Sequence, residues 1–140
     1  MVRGSRRSFA WLAVTMTVLS LAGCGGRTAY QVSGRVQHKD GSPITGATRV
    51  IRLEPAADTT AEIRQTASGT IESDGTFEMF TRRPGDGVIP GKYVVTFTVM
   101  DKPLGGMSLI PQKYTNREES PFELVVDEDK SGLLFELEKL

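Results

Sequence analysis

Past Thr28 the chain repeats with a period of two and nowhere with a period of 3.6, and this most limits what it can become. In Lys92-Tyr-Val-Val-Thr-Phe-Thr-Val99, Tyr93, Val95, Phe97 and Val99 share one side while Thr96 and Thr98 share the other. Such alternation, filled with β-branched and aromatic residues, predicts a strand with one face in a core. Six further stretches follow the same rule: Tyr30–Gln37, Thr48–Leu53, Glu62–Ile71, Thr76–Arg82, Phe122–Val126 and Leu133–Leu137. The last two read as a closing hairpin, with Phe122, Leu124 and Val126 matched to Leu133, Phe135 and Leu137. Between the stretches lie Lys39-Asp-Gly-Ser-Pro43, Ser73-Asp-Gly75, Pro84-Gly-Asp-Gly87 and Pro90-Gly91, residues that accept positive φ or fix it near −65°. Short strands with frequent turns predict an all-β fold, a single sandwich of about seven strands. Two connections are longer, Glu54 to Glu62 and Asp101 to Pro121. The second, with Gly105-Gly106 and three prolines, is long enough to be a functional loop or one ordered by its own packing, and Ile110, Pro111 and Tyr114 are the residues expected to clip it down.

Before Thr28 the pattern changes. Arg3, Arg6 and Arg7 precede an uncharged run from Ser8 to Cys24, shorter than the roughly 20 residues of a spanning helix, so it reads as an export signal. Leu21-Ala22-Gly23-Cys24 resembles the bacterial lipobox. Small Ala22 and Gly23 leave the backbone open to a protease, and Cys24 offers the thiol to which a diacylglycerol is attached. The resemblance implies cleavage between Gly23 and Cys24, acyl chains on Cys24 as the only covalent group, and a membrane anchor, each buried CH₂ contributing about 0.8 kcal/mol. Gly25 in place of Asp after the acylated position favours the outer membrane over the inner one. Ser5-Arg-Arg-Ser-Phe9 is similar to the twin-arginine export motif, and general secretion stays open beside it. The expected organisation is therefore a signal peptide over 1–23, a lipidated tether over 24–29 and a sandwich over 30–140. Loss of the first 23 residues leaves 117, enough for one domain, with a net charge of −3. A mildly acidic body has no electrostatic pull on phosphate backbones, so nucleic acid is not an expected partner.

The order Val32-Ser-Gly-Arg-Val36, Asp40-Gly-Ser-Pro43, Ile44-Thr-Gly-Ala47, Ser73-Asp-Gly-Thr-Phe77 and Ile89-Pro-Gly-Lys-Tyr-Val-Val-Thr96 resembles the carboxypeptidase regulatory-like, or transthyretin-like, β-sandwich. Ile110-Pro-Gln-Lys-Tyr114, Ser120-Pro121 and the final strands are similar to the form found in small lipoproteins of planctomycete-type bacteria. The likeness spans nearly all of the chain after the tether. It implies a prealbumin-like sandwich, usually without catalysis; Gly34 then serves close packing or a bulge, and Asp74-Gly75 a tight hairpin turn.

Residues for chemistry are sparse. One transthyretin-like branch hydrolyses 5-hydroxyisourate with several histidines, an Arg and a C-terminal Tyr-Arg-Gly-Ser, whereas this chain ends Leu137-Glu-Lys-Leu140 and has only His38. That histidine reads as a surface residue at a turn, and no catalytic residue is assigned. A lipidated Cys24 is no nucleophile, and the chain has no second cysteine for a disulfide. Asp127-Glu-Asp-Lys-Ser-Gly-Leu-Leu-Phe-Glu-Leu-Glu138 fits the spacing of a calcium loop, with Asp127, Asp129, Ser131 and Glu138 as weak candidate ligands. The flanking segments alternate as strands instead of helices, so a solvated acidic hairpin turn is expected there and no metal. Arg82-Arg83 and Glu118-Glu119 read as solvated charges. The expected role is a non-enzymatic, lipid-anchored envelope protein whose loop Asp101–Pro121, through Ile110, Pro111 and Tyr114, meets an envelope protein. The alternative, a carbohydrate- or peptidoglycan-binding module, calls for an exposed pair among the eight aromatic residues left after Phe9 and Trp11 are removed.

Overall fold

The computed structural model describes residues 28–140; the signal and cleavage positions, Gly23 and Cys24 among them, lie outside the described residues. Seven strands form two sheets facing each other: β1 (Val32–His38), β2 (Thr48–Pro55), β3 (Ala67–Thr70), β4 (Thr76–Met79), β5 (Gly91–Met100), β6 (Glu123–Val126) and β7 (Lys130–Leu137). One sheet has the order β4-β1-β7 and the other β3-β2-β5-β6. The fold is the expected all-β sandwich. Its only helical feature among the described residues is one 3-10 turn at Gln112–Tyr114.

The inward faces follow the alternation. Tyr93, Val95, Phe97 and Val99 of β5 are each at most 1% exposed, as are Ile51 and Leu53 opposite them on β2. Val32, Val36, Phe77, Met79, Phe135 and Leu137 close the core from the other sheet. Each such side chain taken from water contributes about 1.5–3 kcal/mol. Phe135 links the layers, its ring centroid 5.6 Å from that of Phe97 and 6.0 Å from that of Phe77. At Gly34 the β1–β7 register shifts, and a Cβ there would collide with the Leu133 carbonyl, so the glycine permits the bulge. The Asp74-Gly75 turn is as tight as expected: Gly75 has φ 87°, and Asp74 Oδ1 accepts from Thr76 N at 2.9 Å and Thr76 Oγ1 at 2.6 Å.

Three expectations fail, each for a physical reason. The stretch from Glu62 is paired only from Ala67. β2 ends at Pro55, which has no N–H with which to extend a ladder, and Arg64 turns back to donate to Thr59 O at 3.2 Å. The last two strands are not a hairpin. β6 pairs antiparallel with β5, while β7 crosses to the other sheet and pairs parallel with β1. Their apolar faces meet across the interior, the Phe122 and Phe135 centroids being 5.4 Å apart, edge to face, so side chains join them where backbone bonding was expected. His38 is not a surface turn residue: it is 8% exposed and shares the inward side of β1 with Val36.

Candidate functional site

The long connection after β5 divides into two parts with opposite fates. In the first, Asp101 N–H donates to Met107 O at 3.1 Å, and Asp101 Oδ1 accepts from Met107 N at 2.7 Å. Met100 bridges to Ser108, and Leu109 N donates to Val99 O at 2.9 Å. Gly105 has φ 65°, and a Cβ on Gly106 would strike the Asp101 carboxylate. The two glycines and Asp101 therefore set a closed loop that displays Leu104 at 91% exposure and Met107 at 76%.

In the second part the apolar side chains turn inward. Ile110 is 1% and Tyr114 2% exposed, and Pro111 is half-buried. The Tyr114 ring stacks on Phe122 with centroids 5.8 Å apart, and its hydroxyl accepts from Glu138 N at 3.2 Å. Lys113 Nζ sits 5.0 Å from the same ring. Arg117 Nη2 donates to Pro55 O at 2.6 Å, fastening the loop to the end of β2. Ile110 and Tyr114 thus clip the loop to the sandwich, and the view of them as a surface for a partner is corrected. Their side chains fill the seam between the sheets, because an aromatic ring gains more from that seam than from water. The loop's most accessible apolar groups are Leu104 and Met107, with Leu109 less exposed at 36%, and the sequence pattern did not single them out. The signal was present in Asp101, Gly105 and Gly106, residues that fix a loop instead of burying one.

The residues with calcium-loop spacing are not brought together. Asp127 and Asp129 precede β7 while Glu138 follows its last residue, so eight strand residues at about 3.3 Å each separate them. Asp129 Oδ1 accepts from Gln31 N at 2.9 Å, Asp127 lies 3.1 Å from Lys130 Nζ, and Ser131 is exposed. Glu138 receives Lys113 at 2.6 Å and Lys39 at 2.7 Å. The hydrogen bond from Lys113, then that from Lys39, holds its carboxyl down to about 2. The acidic segment is a crossover between sheets, tied to the start of β1 by Gln31.

Around His38, Asp40 is committed elsewhere: Oδ1 accepts from Ser42 N at 2.9 Å and Oγ at 2.6 Å, and Oδ2 from Lys139 at 2.6 Å. His38 Nδ1 is buried without a hydrogen-bond partner among the described residues, so no carboxylate orients the ring. All eight aromatic side chains from Tyr30 onward are buried or half-buried, so the exposed pair required of a sugar platform is not formed. A groove of about 560 Å³ on the outer face of the three-stranded sheet is lined by Glu72, Glu78, Phe80 and Pro84, with Phe80 half-buried. Among the described residues, no helix is long and apolar enough to cross a membrane.

No family model, curated protein or solved structure matches the chain.

Proposed function

We propose that this chain is a non-enzymatic, lipid-anchored protein of the bacterial cell envelope that holds a transthyretin-like β-sandwich at a membrane surface. The observation that carries the reading is the order of the first 30 residues: a basic start, an uncharged run, Leu21-Ala-Gly-Cys24, and then a body whose first pairing among the described residues is the bridge from Tyr30 to Val88. Six residues from Cys24 to Ala29 reach at most about 20 Å, which keeps the sandwich close to its anchor. The transthyretin-like reading is supported by the two-sheet sandwich, in which Gly34 occupies a bulge and Asp74-Gly75 a tight turn.

Mass spectrometry of the mature N-terminus, combined with membrane fractionation, tests this reading. The expected product begins at Cys24, carries a diacylglycerol on its sulfur and sediments with membranes; Cys24→Ala remains unprocessed. A water-soluble product with a free thiol at Cys24 overturns it.

A further inference from the structure

The sandwich has two poles. Tyr30 pairs with Val88 just before β5 begins, and Lys130 N donates to Gln31 O, so the tether and the acidic crossover share one end. The loop 101–109 leaves the other end, ten strand residues away along β5, which is about 30 Å. We propose that this loop is a lipid-inserting foot, in which Leu104 and Met107 enter the interface of a bilayer while Lys102 meets its headgroups.

Four observations favour a lipid surface. Leu104 and Met107 are among the most exposed large apolar side chains of the described chain, yet the loop carrying them is pinned by Asp101. Little ordering entropy then remains to be lost on contact. From Pro103 to Met107 no side chain offers a hydrogen-bond donor, and the single acceptor is the weak Met107 thioether, whereas a specific protein groove calls for directional pairing. The segment projects as a knob with two glycines between its apolar residues, a form suited to a medium without fixed shape. The charges complement a lipid surface too: the Asp101 carboxylate is turned inward to Met107 N, and exposed Lys102 makes no ion pair among the described residues. Two such side chains carry fewer carbons than one acyl chain, whose binding is roughly 10⁴ M⁻¹, so their own affinity is lower, weak alone and additive to a second attachment.

The test uses residues 28–140, which contain both sheets and the whole core and lack Cys24, so its result is independent of the anchor. The body is sedimented with phosphatidylcholine vesicles at millimolar lipid, with and without one part in three of phosphatidylglycerol. Binding to both is expected, about fivefold tighter with the anionic lipid, a difference that Lys102→Gln removes. Leu104→Ser is expected to weaken binding about tenfold and L104S/M107S to abolish it, with the thermal midpoint unchanged as the control for folding. The body contains no tryptophan, so Leu104→Trp supplies a single reporter whose emission shifts to the blue on vesicles. Absence of binding by the wild-type body, full binding by L104S/M107S, or water-like L104W emission on vesicles overturns the proposal and gives the tip to a protein partner.

Discussion

The two parts of the connection after β5 carry similar apolar content and use it in opposite ways. Leu104 and Met107 point into water from a pinned loop, whereas Ile110 and Tyr114, a few residues on, are sealed in the core. The difference lies in what each part passes over. The first extends beyond the end of β5, and its backbone is held by the Asp101 carboxylate and by Thr48 Oγ1, which lies 3.4 Å from the Lys102 and Pro103 carbonyls. The second runs back over the seam between β6 and β7, whose facing edges belong to different sheets and leave a gap that only side chains can fill. Apolar content alone does not decide burial; the nearest open seam does.

This contrast has measurable consequences. Tyr114→Ala removes the ring from the seam and should lower unfolding free energy by about 3–5 kcal/mol in denaturant titrations, comparable to other aromatic truncations in cores. Ile110→Ala should cost about 3 kcal/mol in the same assay. Tyr114→Phe keeps the stack and loses the bond from Glu138 N together with the hydroxyl's contact with Lys113, a change of about 1 kcal/mol. If Tyr114→Ala were silent, the seam would not be what holds the second part. Glu138 sharpens the comparison through pH, because its carboxyl joins Lys113 of the clip to Lys39 at the end of β1. Its folded value of about 2 lies below the ordinary 4.5. The stabilisation is therefore complete above about pH 4.5 and lost as pH falls through about 2. Thermal midpoints from pH 6 to 2 should fall less steeply in Glu138→Gln than in the wild type. The smallest effect belongs to the exposed part: Leu104→Ser and Met107→Ser should each leave stability within about 0.5 kcal/mol.

The core of each strand was legible in sequence because alternation states which side of a residue is apolar. Partners were less legible, since the same alternation is satisfied by any neighbour that covers that side. Phe122, Leu124 and Val126 announced an inward face correctly, but adjacency in the chain suggested a hairpin where each strand instead completes a different sheet. His38 obeys the same parity: it falls two residues after Val36, on the same inward side, although turn residues follow it directly. For the long connection, Ile110, Pro111 and Tyr114 were recognised as anchors, and the same reading then offered them as a contact surface, two uses that one buried side chain cannot serve. The separation of Glu138 from Asp127 and Asp129 was visible in the strand pattern, because a β-strand carries its two ends apart where a helix-flanked loop would curl them together.

The middle position of β1 bears on load. Tyr30 leads directly into that strand, which β7 pairs from Val32 to His38 and β4 from Val32 to Arg35. A pull on the N-terminal end acts lengthwise on β1, so its rows of hydrogen bonds share the force at once instead of peeling one by one. The C-terminal strand thereby becomes the brace that keeps the first strand from being drawn out, and a nick that frees β7 would weaken the domain against such a pull.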